Sequence, residues 1–287
     1  MLTVTAPGKI ILSGEHAVVY GCPALLSTID FSVIAKIEHG CAGLVWLVWE
    51  DHFDDEVSLA VCLEKVARAK KIYEEFLETG DKGLLKQIVF SKEDFLLLAI
   101  GESLLAFGED SFSGGVSFRL SNTIPLGRGF GSSAAMASTV VGGMQAWRDG
   151  VLHKEIVLPV VHRLESYVHG RPSGADAGAV VEGGSIYFQK WKEIEPMPHL
   201  LKGFSLPFFI VDAGEPLETT GELVSRVNAF RERDSNAFDQ LLGSFSYCVT
   251  SLKDALLLDD YHEVVASINR NQELLESIGV VSDDVEA

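Results

Sequence analysis

The stretch richest in chemistry is Pro125 to Ala135, P-L-G-R-G-F-G-S-S-A-A, where Gly127, Gly129 and Gly131 alternate with larger residues before Ser132 and Ser133. Glycines let the main chain approach a ligand without side-chain clashes. A glycine loop that opens a helix also gathers unpaired N–H groups at the positive end of the helix dipole. That combination suits a phosphate, although three alternating glycines serve a plain tight turn equally well. Two better-known loops are excluded. No lysine follows Gly131, as a P-loop requires, and Ser132 stands where a dinucleotide fingerprint needs its third glycine.

Three further groups of residues could take part in chemistry. Gly14-Glu15-His16 places two ionisable side chains among glycines, more than a hairpin needs. His162, Glu165 and His169 are spaced by three and four, so they share one helical face; the spacing admits zinc, but no other ligand cluster accompanies them. Arg171 to Asp176, R-P-S-G-A-D, is a turn-rich segment ending in a carboxylate.

These residues need elements to hold them. Val116, Phe118 and Leu120 alternate with polar neighbours, which predicts a half-buried strand before the glycine loop. Ser132 to Trp147 is small, apolar and free of proline, and predicts a buried helix after it. Leu2 to Ala6 and Ile10 to Ser13 read as short strands joined by a turn at Pro7-Gly8-Lys9, with further strands at Leu25–Glu38, Leu44–Glu50, Ser185–Gln189 and Leu206–Asp212. Asp51 to Glu56 reads as an acidic, solvated turn. Helices are predicted over Val57–Glu78, over Lys92–Phe107 with Ser91 as cap, and over Lys154–His169 with Gly170 and Pro172 as stop signals. From Glu218 to Ile278 the pattern is mostly helical, and the composition shifts near residues 190–206.

The whole chain sets outer limits. Its 287 residues, 47% of them hydrophobic and 22% charged, can bury a sizeable core. A net charge of -18 argues against nucleic acid or an anionic membrane surface as partner. An anionic substrate would therefore need local devices: a lysine, a helix N-terminus or a cation. Cys22, Cys41, Cys62 and Cys248 lie far apart without a C-x-x-C pair, the apolar runs are too short to span a bilayer, and no signal sequence opens the chain. A soluble cytoplasmic protein with reduced thiols is expected.

Taken together, Pro7-Gly8-Lys9, the run G-E-H-A-V-V-Y-G from Gly14 to Gly21, the Pro125–Ala135 loop and Pro172-Ser173-Gly174-Ala175-Asp176 resemble the GHMP kinase superfamily and, within it, the mevalonate kinases. The resemblance implies an α+β GHMP kinase fold of two lobes, ribosomal-protein-S5-like over residues 1–190 and ferredoxin-like over 191–287. It implies an ATP- and Mg²⁺-dependent transfer of phosphate to mevalonate. The phosphates would lie on Pro125, Gly127, Gly129, Gly131, Ser132, Ser133 and Ala134, and Ser133 and Glu165 would hold Mg²⁺. Asp176 would act as base with Lys9 as the cation beside it, while Glu15, His16 and Thr220 would contact mevalonate. Thr220 aligns only with a one-residue gap. A homodimer is the implied assembly. Phosphomevalonate kinase and a non-catalytic ligand-binding relative are the alternatives.

One departure stands out. The family's N-Q-x-L-L-x-x-[LI]-G-V segment is present from Asn271 to Val280, but its third glycine-rich run does not follow before Ala287. The expected C-terminal lobe is thus an incomplete one.

Overall fold

The computed structural model describes residues 1–49, 52–212, 214 and 220–281, with Thr220 described by its backbone alone. Strand β1 (Leu2–Ser13) leads through a 3₁₀ turn at Ala17–Tyr20 to β2 (Pro23–His39), β3 (Leu44–Trp49) and β4 (Phe53–Ser58). Helices α1 (Leu59–Thr79), α2 (Lys82–Leu85) and α3 (Lys92–Phe107) follow, then β5 (Val116–Asn122), α4 (Ser132–Asp149), α5 (Lys154–His169) and α6 (Ala175–Glu182). The chain continues with β6 (Ser185–Gln189), β7 (Glu195–Pro196), α7 (Thr220–Arg233), α8 (Ser235–Leu257) and α9 (Tyr261–Ser277). The mixture is α+β, as expected. No helix among the described residues is long and apolar enough to cross a membrane.

Two compact units share the chain: residues 1–8, 30–124 and 131–181 form one, and residues 9–29, 125–130 and 182–287 the other. Both β1 and β2 run through a border between them.

In the first unit the later part of β2 pairs antiparallel with β5, from Val33 opposite Asn122 to His39 opposite Val116. On its other side β5 pairs in parallel with β3, which pairs antiparallel with β4. Ala35, Ile37, Val45, Leu47, Val116 and Phe118 are fully buried along these strands. Helix α3 is buried on almost every side, and it lies close to α1 because Gly101 has no side chain. A Cβ there would come within 2.4 Å of the Cys62 carbonyl oxygen.

In the second unit β2 begins against β6, from Pro23 opposite Gln189 to Ser27 opposite Ser185. Helices α8 and α9 start at aspartates: Asp234 accepts a hydrogen bond from the Ala237 amide, and Asp260 from that of Glu263. Such caps satisfy amides that no helical carbonyl reaches. One core cluster joins Leu25, Phe204, Val249, Leu252 and Val264, and another joins Ala17, Phe238, Phe245, Leu275 and Ile278.

Three sequence expectations are corrected here. The turn at Pro7-Gly8-Lys9 is absent, and β1 runs straight through it, since a strand tolerates proline where no neighbour needs the missing N–H. The segment read as an acidic turn is largely β4, whose Asp54, Asp55 and Glu56 are exposed while its backbone pairs with β3; Glu50 and Asp51 lie outside the described residues. Acidic side chains are a usual covering for strands with an open side. The strand expected at Leu206–Asp212 does not form. Phe209 and Val211 are more than four-fifths exposed. An apolar run becomes a strand only when a neighbour takes its backbone hydrogen bonds, and none among the described residues does.

A buried carboxylate ties the helices of the first unit together. Glu102, in α3, is wholly buried and accepts hydrogen bonds of 2.7 Å from Arg163 Nη1 and from the Tyr167 hydroxyl, both on α5. Lys70 Nζ, from α1, lies 3.7 Å away. Burial, and then the carboxylate, hold the Tyr167 hydroxyl well above its ordinary pKa, so it stays a donor. Tyr167→Phe should lower stability by about 1–3 kcal/mol, because a buried acceptor then loses one of its donors. Urea unfolding measures this, and an unchanged midpoint would remove Tyr167 from the network.

Candidate functional site

The glycine loop has the backbone its sequence suggests. Gly127, Gly129 and Gly131 all have positive φ, between 74° and 78°. A Cβ added to Gly127 or Gly129 would meet no atom within 4 Å, so conformation and not crowding calls for glycine there. Within the second unit the loop is tied down at two points. Lys9 N donates to Phe130 O at 2.9 Å, and Arg128 Nη1 donates to Asp212 Oδ1 at 3.3 Å.

Gly131 opens α4 in a left-handed conformation, and no side chain caps the helix. The first helical hydrogen bond is from Ala135 N to Gly131 O. The amides of Ser132, Ser133 and Ala134 thus precede the helical ladder, at the positive end of the dipole.

Also in the first unit, Ser133 Oγ donates to Glu165 Oε1 at 2.8 Å. Glu165 is only 3% exposed, and His169 Nε2 lies 3.7 Å from its second oxygen. A hydroxyl and a carboxylate form an all-oxygen pair, which suits a hard cation such as Mg²⁺ better than zinc. Among the described residues no group of three His, Cys, Asp or Glu is placed to hold a metal ion. Asp176 stands in the first turn of α6, half-buried, after Gly174 at φ 94°. Ser173 Oγ accepts from Ala175 N and shapes the turn before it.

In the second unit Lys9 is 5% exposed, so this charge lies inside the protein. Glu15 and His16 form the turn after β1. Burial pushes the Glu15 carboxyl above its usual range, against hydrogen bonds from backbone and Asn271 and the Lys9 charge, which pull it down. Burial lowers the His16 imidazole, keeping it neutral near pH 7. His16 has φ 59° and ψ -47°, a costly conformation for a residue with a side chain. Thr220 opens α7, but its side chain lies outside the described residues.

Asn271 is the residue that sequence reasoning passed over. It served only as a landmark of the N-Q-x-L-L segment, yet its Oδ1 accepts from Ser13 Oγ at 2.7 Å and its Nδ2 donates to Glu15 Oε1 at 3.1 Å. A signal was available. Val264, Ser267, Asn271 and Leu275 follow helical spacing on the buried face of α9, and a buried asparagine needs partners. Arg128 was likewise passed over as a spacer between glycines.

Comparison with known proteins gives this arrangement a family. Residues 97–184 match the GHMP kinases N terminal domain. The mevalonate kinase of Pyrococcus abyssi is 30% identical over 285 residues, covering 98% of this chain and 78% of that protein. The crystal structure of Methanococcus jannaschii mevalonate kinase superposes with a TM-score of 0.76 at 19% identity, covering 99% of this chain and 81% of the other. That of L. major mevalonate kinase in complex with R-mevalonate superposes at 0.65, also at 19% identity, covering 100% and 78%. The structural likeness shows a common fold. The sequence likeness, spread over nearly the whole chain, goes further: this chain belongs to the mevalonate kinase family of GHMP kinases.

Proposed function

We propose that this protein is an ATP-dependent kinase that phosphorylates the 5-hydroxyl of mevalonate. The observation that carries the proposal is the Ser133–Glu165 pair at the start of an uncapped helix, directly after three left-handed glycines. Relatives named mevalonate kinase supply the acceptor.

Phosphoryl transfer asks a protein for positioning and charge stabilisation more than for covalent chemistry. The amides from Gly127 to Ala134, with Pro125 setting the loop's entry, are assigned to the ATP phosphates. Ser133 and Glu165 are assigned to Mg²⁺, which when bound neutralises phosphate charge. Asp176 is assigned the proton of the mevalonate hydroxyl: as that oxygen bonds to the γ-phosphorus, the bond to ADP breaks and the proton passes to the carboxylate. Lys9 supplies positive charge for the phosphoryl group in transit. Glu15, His16 and Thr220 are assigned to the acceptor.

Coupled-enzyme detection of ADP release from Mg·ATP, with and without mevalonate, tests the proposal. Release should require mevalonate, and Asp176→Asn should keep the fold and bind ATP but turn over about 10²–10⁴-fold more slowly. Near-normal turnover in that variant would exclude Asp176 as base. Release with phosphomevalonate, and none with mevalonate, would reassign the acceptor. Glu165→Gln should raise the Mg²⁺ concentration needed for half-maximal rate by about tenfold or more, since a charged ligand is lost. An unchanged Mg²⁺ dependence would free Glu165 from the cation.

A further inference from the structure

Backbone amides, the Lys9 charge and Asn271 all act on the Glu15 carboxyl, and the one side chain that hydrogen-bonds to it does so at Oε1. Asn271 makes three hydrogen bonds with the turn that carries it. Its Oδ1 accepts from Ser13 Oγ at 2.7 Å and from Gly14 N at 3.4 Å, and its Nδ2 donates to Glu15 Oε1 at 3.1 Å. Two donors facing one end of the carboxamide and a carboxylate facing the other leave a single sensible orientation. The other carboxylate oxygen, Glu15 Oε2, is buried and has no hydrogen-bond partner among the described residues. A buried carboxylate oxygen without a donor is expensive.

The turn itself is expensive too. Gly14 has φ 96°, and a Cβ on it would come within 2.4 Å of Pro23 O, so no other residue fits. His16, two residues on, has the unfavourable backbone already described. The segment therefore spends stability to present a half-satisfied carboxylate, and Asn271 is the side chain that decides which half is satisfied. Asn271 reaches the turn from α9, where Val264 and Leu275 of the same face are anchored in the core clusters.

We propose that Asn271 is a positioning residue that sets acceptor specificity: by engaging Glu15 Oε1 it reserves Oε2 for a hydroxyl donor on the alcohol substrate. This rests on the kinase assignment above for the identity of the acceptor, but the Asn271–Glu15 coupling is testable without turnover. Asn271 acts through Glu15 and has no contact with ATP in this scheme.

Asn271→Asp is the informative variant. It keeps an acceptor for Ser13 and Gly14 and replaces the donor facing Glu15 with a second carboxylate oxygen. The KM for mevalonate should rise at least about tenfold, the worth of one charge-assisted hydrogen bond, while kcat and the KM for ATP stay within about twofold. A purely structural role would change both KM values and kcat together, in step with the melting temperature, and would overturn the proposal.

The double variant Glu15→Gln/Asn271→Asp restores a donor facing an acceptor with the roles exchanged. Its melting temperature should lie above that of Asn271→Asp, and the two substitutions should be clearly non-additive. This cycle needs no substrate, so it separates a failed coupling from a mistaken kinase assignment. Additive effects would overturn the proposal even in an active enzyme.

Discussion

A carboxylate removed from water must be met by donors or by positive charge, or it will take up a proton. Among the described residues Glu102 and Glu165 are such groups, as is the buried Oε2 of Glu15, and each is treated differently. Glu102 is fully met by Arg163 and Tyr167 and draws on Lys70, so its ties are internal: it fixes α5 against α3 and α1. Glu165, on that same α5, is met by a serine hydroxyl, a partner that a cation can share. Glu15 is met at one oxygen and unmet at the other.

Glu102 and Glu165 are linked by the geometry of a single helix. Arg163 and Tyr167 lie two residues before and after Glu165, so at 3.6 residues per turn they project from the opposite side of α5. One side is clamped by the charge network, and the other carries the oxygen that meets Ser133. A buried ion pair is a poor source of net stability, because desolvation consumes much of the attraction. Its value here is orientation.

Much of this could be read from the residues. The bounds of α3 and α5 agree with their stop and start signals, since Ser91 does cap the Asp94 amide and Gly170 does follow the last turn. These signals are local, and local chemistry decides helix ends. The alternate glycines were legible for the same reason: each needs a φ that other residues avoid. What could not be read depends on distant partners. The run at Leu206–Asp212 looks like a strand in isolation, but whether a strand forms is settled by its neighbour. β4 hid in an acidic segment because pairing with β3, not its own propensity, makes it a strand. Asn271 and Glu15 are 256 residues apart in sequence, beyond the reach of any spacing rule.

The segment around Phe209 to Val211, unpaired among the described residues, also bears on how molecules of this protein meet one another. Its exposed apolar side chains favour contact, while the net charge of -18 pushes like molecules apart over distances of about a Debye length. Colloidal behaviour is thus a contest between a short-range attraction and a screened repulsion. Dilute buffer favours dispersed molecules; concentrated salt removes the repulsion, leaves these side chains exposed and favours self-association.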